Sequence, residues 1–195
     1  MRRPLRMLCL AVLISSCGVF SSGSAPRNLD NACSILEQRP HFYRAFKLTE
    51  KRWGVPVNVQ MAIIHQESRF RSNAKTPMRY FLGIIPRGRQ SSAYGYAQAL
   101  DGTWNEYKQS TGRFVARRSN IRDATDFMGW YMVETKRRNK ISLSNSKNQY
   151  LAYHEGQTGY ARGSYRNKSW LLKVANKVDR RSSMYRRQLK GCGRL

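Results

Sequence analysis

The run Val55-Pro56-Val57-Asn58-Val59-Gln60-Met61-Ala62-Ile63-Ile64-His65-Gln66-Glu67-Ser68 decides how this chain is read, and it opens a stretch that extends to Gln98. Pro56 suits the first turn of a helix, where its missing N–H leaves nothing unpaired. From Asn58 onward, Val59, Ile63 and Glu67 follow at four-residue steps with Gln60 and Ile64 one row beside them. One helical face therefore carries apolar residues and a carboxylate together. A carboxyl group set among Ile63, Ile64 and further apolar walls loses hydration, which disfavours its ionised form and lifts its pKa toward the range of a general acid. Taken alone, Glu67 reads more readily as a helix-end carboxylate bonded to Arg69 or Arg71, or simply as a solvated one.

Its company alters that reading. Glu67-Ser68, then Gly95-Tyr96-Ala97-Gln98, then Ala152-Tyr153-His154-Glu155-Gly156 follow in that order. The series resembles the bacterial lytic transglycosylases that share the goose-type lysozyme fold, and the resemblance covers roughly Phe42 to Val178. It implies that Glu67 is the acid/base and that Tyr153 directs its hydroxyl toward that carboxyl or the reacting sugar. It further implies substrate contacts from Gln98, whose amide donates and accepts, from Gly95, which lets backbone approach the glycan, and from Ser68, which bonds substrate or supports the following loop. Where such proteins commonly carry an apolar pair such as Leu-Met this chain has Tyr96-Ala97, and where they carry Asn-Ala it has His154-Glu155. His154 is expected to meet sugar or peptide, with a local structural role as the alternative.

The charge balance narrows the partners. The chain has 36 Lys and Arg against 11 Asp and Glu in 195 residues, a net charge of +25. Without Arg2, Arg3 and Arg6 of the leader the balance is still +22, which calls for an anionic surface or polymer. In a cytosolic protein this would read as nucleic acid. The N-terminus argues against that compartment, because those three arginines precede an apolar run, Met7 to Ile14, too short to span a bilayer. Ile14-Ser15-Ser16-Cys17 resembles a lipoprotein cleavage box, so residues 1–16 are expected to be a signal peptide and Cys17 the lipidated first residue of the mature chain. A cut after Gly23-Ser24-Ala25 would instead release a soluble periplasmic or secreted protein. The expected partners are peptidoglycan glycan strands, a membrane through the lipid anchor and anionic envelope polymers, with no nucleic acid, in a monomer held at the periplasmic face of the outer membrane.

Cysteine usage agrees with export. With Cys9 in the leader and Cys17 assigned to lipid, Cys33 and Cys192 remain near the two ends of the mature domain, placed for a disulfide in an oxidising compartment. His41, His65 and His154 are too scattered to form a metal site, and no cofactor is expected.

Residues 17–31 are rich in Ser, Gly and Pro and read as a flexible tether, leaving 32–195 as one catalytic domain. Helical spacing recurs from His41 to Trp53, from an Asp101 cap toward Gly112, from Ile121 to Arg138, from a Ser144 cap to a stop at Gly156, and from Trp170 to Leu189. Between Phe70 and Tyr94 only Tyr80-Phe81-Leu82-Gly83-Ile84-Ile85 leans toward strand. Arg79, Arg87 and Arg89 beside it face either solvent or an anionic glycan. The expected fold is mostly α, a lysozyme-like helical domain with a small β-hairpin at the cleft.

Glycoside cleavage commonly uses two carboxylates, and this chain offers Glu67 few partners. The resemblance implies a one-carboxylate reaction: a lytic transglycosylase that cuts the bond between N-acetylmuramic acid and N-acetylglucosamine without water, leaving 1,6-anhydro ends. A goose-type lysozyme-like hydrolase and a non-enzymatic, lipid-anchored basic protein clamping the wall or an anionic envelope surface are the alternatives.

Overall fold

The computed structural model describes residues 24–195; the expected leader and the lipidation at Cys17 lie outside these residues. In order the described chain forms α1 (Ala32–Gln38), α2 (Pro40–Trp53), α3 (Val57–Ser68), β1 (Met78–Phe81), β2 (Ile85–Arg89), α4 (Asp101–Thr111), α5 (Ile121–Asn139), α6 (Ser146–Ala161) and α7 (Ser169–Gly191). The fold is mostly α with one antiparallel hairpin, as the sequence predicts.

The central element is α3. Val57, Val59, Met61, Ala62, Ile63 and Ile64 are fully buried, so the helix is apolar on nearly every side, the mark of an internal helix. It lies against α2, α6 and α7. Its buried amides are put to use: Gln60 Nε2 donates to the Phe46 and Val55 carbonyls at 3.1 and 2.8 Å, and Asn58 Nδ2 donates to Ser182 Oγ on α7 at 2.8 Å. Every turn of α3 but the last is enclosed, which delivers Glu67 to the one end that opens outward.

A second junction joins α2 to α5. Gly129 permits it, because a Cβ there would stand 2.4 Å from Trp53 Cδ1. Beside it the buried Asp126 accepts hydrogen bonds from Arg52, from Trp53 Nε1 at 3.0 Å and from the Tyr107 hydroxyl at 2.7 Å. One carboxylate thus ties α2, α4 and α5 together.

Several boundaries differ from the sequence reading. Asn145 caps α6, accepting from Asn148 N at 3.0 Å; the Ser144 hydroxyl instead meets Ser142. Gly156 does not stop that helix. At φ 76° and ψ 163° it breaks the ladder, and the chain resumes helical turns to Ala161, a conformation open to glycine because it lacks a Cβ. Asp101 is the first residue of α4 and Leu100 holds the cap position.

Residues 24–31 are not the free tether that composition implies. Gln38 exchanges hydrogen bonds with the Arg27 backbone, Arg181 pairs with Asp30 at 2.6 Å, and Gln188 bonds both Ala32 N and Asp30 O at 2.9 Å. The Cys33–Cys192 disulfide forms alongside, across a sequence separation of 159. On the chain-entropy argument, closing so long a loop stabilises the fold by about 5 kcal/mol.

Candidate functional site

Two left-handed residues, Arg69 at φ 51° and Phe70 at φ 60°, turn the chain sharply off the end of α3. Phe70 is driven into the core, stacked on Phe42 at 6.1 Å, and this anchors the turn. Glu67 is left beside the helix end, half-buried. Neither Arg69 nor Arg71 pairs with it; Arg71 Nε donates to the Ser68 carbonyl at 3.2 Å instead. Crowding by protein pushes the Glu67 pKa up to about 8, with desolvation as the cause. All 11 acidic residues of the chain fall within the described residues. Glu37 and Glu106, the others without a hydrogen-bond or ion-pair partner, are exposed, so Glu67 alone is both unpaired and sheltered.

Two phenols from α6 feel the Glu67 charge. Tyr150 and Tyr153 are both raised in pKa, first by burial and next by the Glu67 carboxylate, so each stays protonated at neutral pH. The Tyr153 hydroxyl donates to the Ala97 carbonyl at 2.5 Å rather than to Glu67, and its ring packs edge-on to Tyr131 and Phe127. With its proton given to Ala97, Tyr153 offers the groove only oxygen lone pairs.

Beyond Tyr153 opens a pocket of about 220 Å³, lined in part by Gln98, Thr103, Phe127, Tyr131, Tyr153 and His154. The hairpin does not line it. Gln98 belongs to this wall, but both its amide bonds are internal: Nε2 donates to Ala74 O and Gly95 O at 2.9 Å. Its Oε1 remains to accept from a ligand. Gly95 has φ 78°, and a Cβ on it would stand 2.2 Å from the Arg118 carbonyl oxygen. What the glycine admits on its Cβ side is the Arg118 backbone, which accepts from Tyr96 N at 3.2 Å. Tyr96 and Ala97 are buried, Tyr96 edge-on to Phe42 at 5.6 Å, so this pair packs as an apolar pair would. Ser68 is buried with its hydroxyl donating back to the Ile64 carbonyl at 3.2 Å. It supports the turn after α3 and does not reach the groove.

His154 and Glu155 form a local cluster on the pocket rim. His154 Nδ1 lies 3.0 Å from Glu155 Oε1, and its ring stands edge-on to the exposed Trp170 at 5.2 Å. Burial would raise the Glu155 pKa, but bonds from Lys168 at 2.8 and 2.9 Å, from Ser164 and from His154 outweigh it and hold the carboxyl at about 2. Glu155 is a spoken-for anion.

A family model described as Transglycosylase SLT domain matches residues 5–192. The chain belongs to this family. Transglycosylase SLT domains are lysozyme-like and act on peptidoglycan as lytic transglycosylases, which places the work of this one in the periplasm or envelope. No curated protein matches the chain.

Within this SLT domain the sequence reading missed Tyr150, Tyr131 and Arg118. Tyr150 was findable, since it precedes Tyr153 by three residues and so shares its helix face. Arg118 carried no signal. Its guanidinium donates to the Ala99 carbonyl at 2.8 Å and pairs with Asp101 at 2.7 Å, holding the Gln98 turn from a distant part of the chain.

Proposed function

We propose that this SLT domain cleaves the β-1,4 bond between N-acetylmuramic acid and N-acetylglucosamine with Glu67 as its single catalytic carboxylate. The observation that carries the reading is that Glu67 alone among the acids is unpaired and sheltered, with a pKa near 8. At neutral pH it holds a proton to give to the glycosidic oxygen. As that oxygen takes the proton and departs, the anomeric carbon becomes electron-deficient; the Glu67 carboxylate then takes the proton of the muramoyl 6-hydroxyl, whose oxygen closes the 1,6-anhydro bond on that carbon, and Glu67 ends with its proton restored. The nucleophile is already part of the substrate, which favours it by effective concentration, and a carboxyl titrating near the working pH serves both proton transfers.

In this reading Tyr153 is a positioning residue whose lone pairs face the sugar, while Gln98 accepts from a hydroxyl or acetamido N–H. His154 meets sugar or peptide at the rim beside Trp170, and Ser68 and Gly95 act through the turns they support. The acid that lines the pocket, Glu155, is paired with Lys168, which favours the anhydro reaction over a two-carboxylate hydrolysis. The mature chain, lipidated at Cys17 after loss of residues 1–16, is held at the outer membrane.

Digestion of purified sacculi tests this. Wild type is expected to release anhydro-muropeptides, lighter by one water than hydrolytic products, and Glu67→Gln to release none. Reducing muramic ends from the wild type would overturn the transglycosylase assignment, and undiminished cleavage by Glu67→Gln would overturn the role of Glu67.

A further inference from the structure

The hairpin stands apart from the body. Of its nine strand residues only Met78 is partly buried, and its tip exposes Tyr80, Phe81, Leu82, Ile84 and Ile85 by 48 to 78%. Five large apolar side chains this open and this contiguous are uncommon on a soluble surface and mark a contact surface. The tip also accepts a conformational cost to present them. Leu82 and Gly83 both take positive φ, 50° and 76°, and the turn closes through Ile84 N to Phe81 O at 3.2 Å. Such a turn favours Asn, Asp or Gly at its first centre, yet here it holds a leucine, 78% exposed.

The flanks are cationic. Arg79, Arg87 and Arg89 follow the apolar tip on both strands, and no acidic residue occurs between Glu67 and Asp101. Arg87 lies over the Phe81 ring at 5.1 Å and Arg89 donates to the Thr76 carbonyl; none of the three pairs with a carboxylate among the described residues. Apolar and basic zones are therefore stacked along the hairpin axis. Leu82 and Arg79 are three residues apart, about 10 Å in extended chain. That matches the depth to which interfacial elements sink their apolar side, about 5–10 Å below the headgroups.

We propose that the 80–85 tip is a membrane-insertion element that enters the acyl region of an anionic bilayer while Arg79, Arg87 and Arg89 meet the lipid phosphates. A wall glycan suits this tip less well, since its most exposed side chains, Leu82 and Ile84, offer sugars neither hydrogen bonds nor a flat aromatic face, and Arg87 lies over the Phe81 ring. The element would act independently of an acyl group at Cys17 and would fix how the domain faces the membrane, which a single acyl chain does not do.

The test uses the full chain and vesicles of phosphatidylcholine with or without phosphatidylglycerol. Leu82→Trp places a reporter at the tip, read as the difference from wild type. Its emission is expected to shift to the blue, and to be quenched by lipids brominated along their acyl chains, only when phosphatidylglycerol is present. Leu82→Asn with Ile84→Asn suits the turn while removing the apolar tip, and should weaken binding to anionic vesicles at least about tenfold. Placed in the Leu82→Trp background, Arg79→Gln with Arg87→Gln should diminish the blue shift and the acyl-chain quenching of the tip reporter on anionic vesicles, even though the strongly basic remainder of the chain still binds them. An unquenched tip reporter on vesicle-bound Leu82→Trp protein would overturn the proposal. So would binding by the double-Asn variant as tight as wild type, or a tip needed for binding sacculi and irrelevant to vesicles, which would assign it to a wall partner.

Discussion

The Tyr153 hydroxyl and the Ala97 carbonyl, 2.5 Å apart, join α6 to the turn that carries Gln98. The motif order places these residues 56 apart in sequence, and the bond explains why they must travel together: one phenol sets the distance between the two walls of the pocket. Tyr153→Phe keeps the ring contacts with Tyr131 and Phe127 and leaves the buried carbonyl unpaired. We expect a stability loss of about 1–3 kcal/mol, measured by urea unfolding. Turnover on sacculi should fall about 10- to 100-fold with its pH dependence unchanged, because Glu67 keeps its proton.

The raised pKa of Glu67 makes a prediction about rate. A reaction that begins by donating a proton needs the acid form, so activity should decline tenfold per pH unit above about 8. A two-carboxylate hydrolase would add a rising limb at low pH from its ionised partner. Here no such limb is expected near neutrality, since Glu155 is ionised down to about pH 2. A pH–rate profile on soluble glycan strands checks both limbs.

The same proton has a stability signature. Unfolded, Glu67 ionises near 4.5; folded, near 8, so between these values the native state holds a proton that the unfolded chain has lost. Stability contributed by this group is complete below pH 4.5 and declines as pH rises to 8. Glu67→Gln removes the decline. The variant should gain on wild type across that window, reaching about 2–4 kcal/mol at pH 8 once partial hydration of the groove side is allowed for. Thermal unfolding of both proteins between pH 4 and 9 measures the gap.

Gly95 tests whether the turn is a packing device. Gly95→Ala puts a Cβ 2.2 Å from the Arg118 carbonyl oxygen, a backbone atom that cannot swing aside, at a φ disfavoured for any Cβ. The expected cost is about 2–4 kcal/mol, with loss of activity as the Gln98 wall shifts. Gly102→Ala, which meets nothing within 4 Å, is the control and should be near neutral.

Much of this was legible in the sequence. Four-residue spacing along α3 exposed the internal helix and its terminal carboxylate, and β-leaning residues marked the hairpin, because both signals are local. What escaped was set by partners distant in sequence. The clash that makes Gly95 a glycine comes from Arg118, and the convergence of Arg52, Trp53 and Tyr107 on Asp126 spans three helices. Which of its two roles Ser68 takes was hidden for the same reason: residue type does not say whether a hydroxyl turns back to its own helix, as this one does to the Ile64 carbonyl, or outward. Gly156 misled because glycine ends helices and also interrupts them.

Glu155 provides the last test, at the acid end of the pH scale. Its carboxyl is held at about 2 by Lys168, Ser164 and His154 against the opposing effect of burial. The native state therefore stays ionised while the unfolded chain takes up a proton near 4.5. Stability from this cluster is complete above pH 4.5 and is lost as pH falls toward 2. Glu155→Gln should cost about 1–3 kcal/mol at pH 7 and flatten the acid side of the stability curve between pH 4.5 and 2. Because the cluster holds the pocket rim and no proton transfer passes through it, KM for glycan strands should rise while the alkaline limb near pH 8 stays in place. A displaced limb in Glu155→Gln would mean that Glu155 and Glu67 titrate as a pair, and the one-carboxylate mechanism would give way to a two-carboxylate hydrolysis.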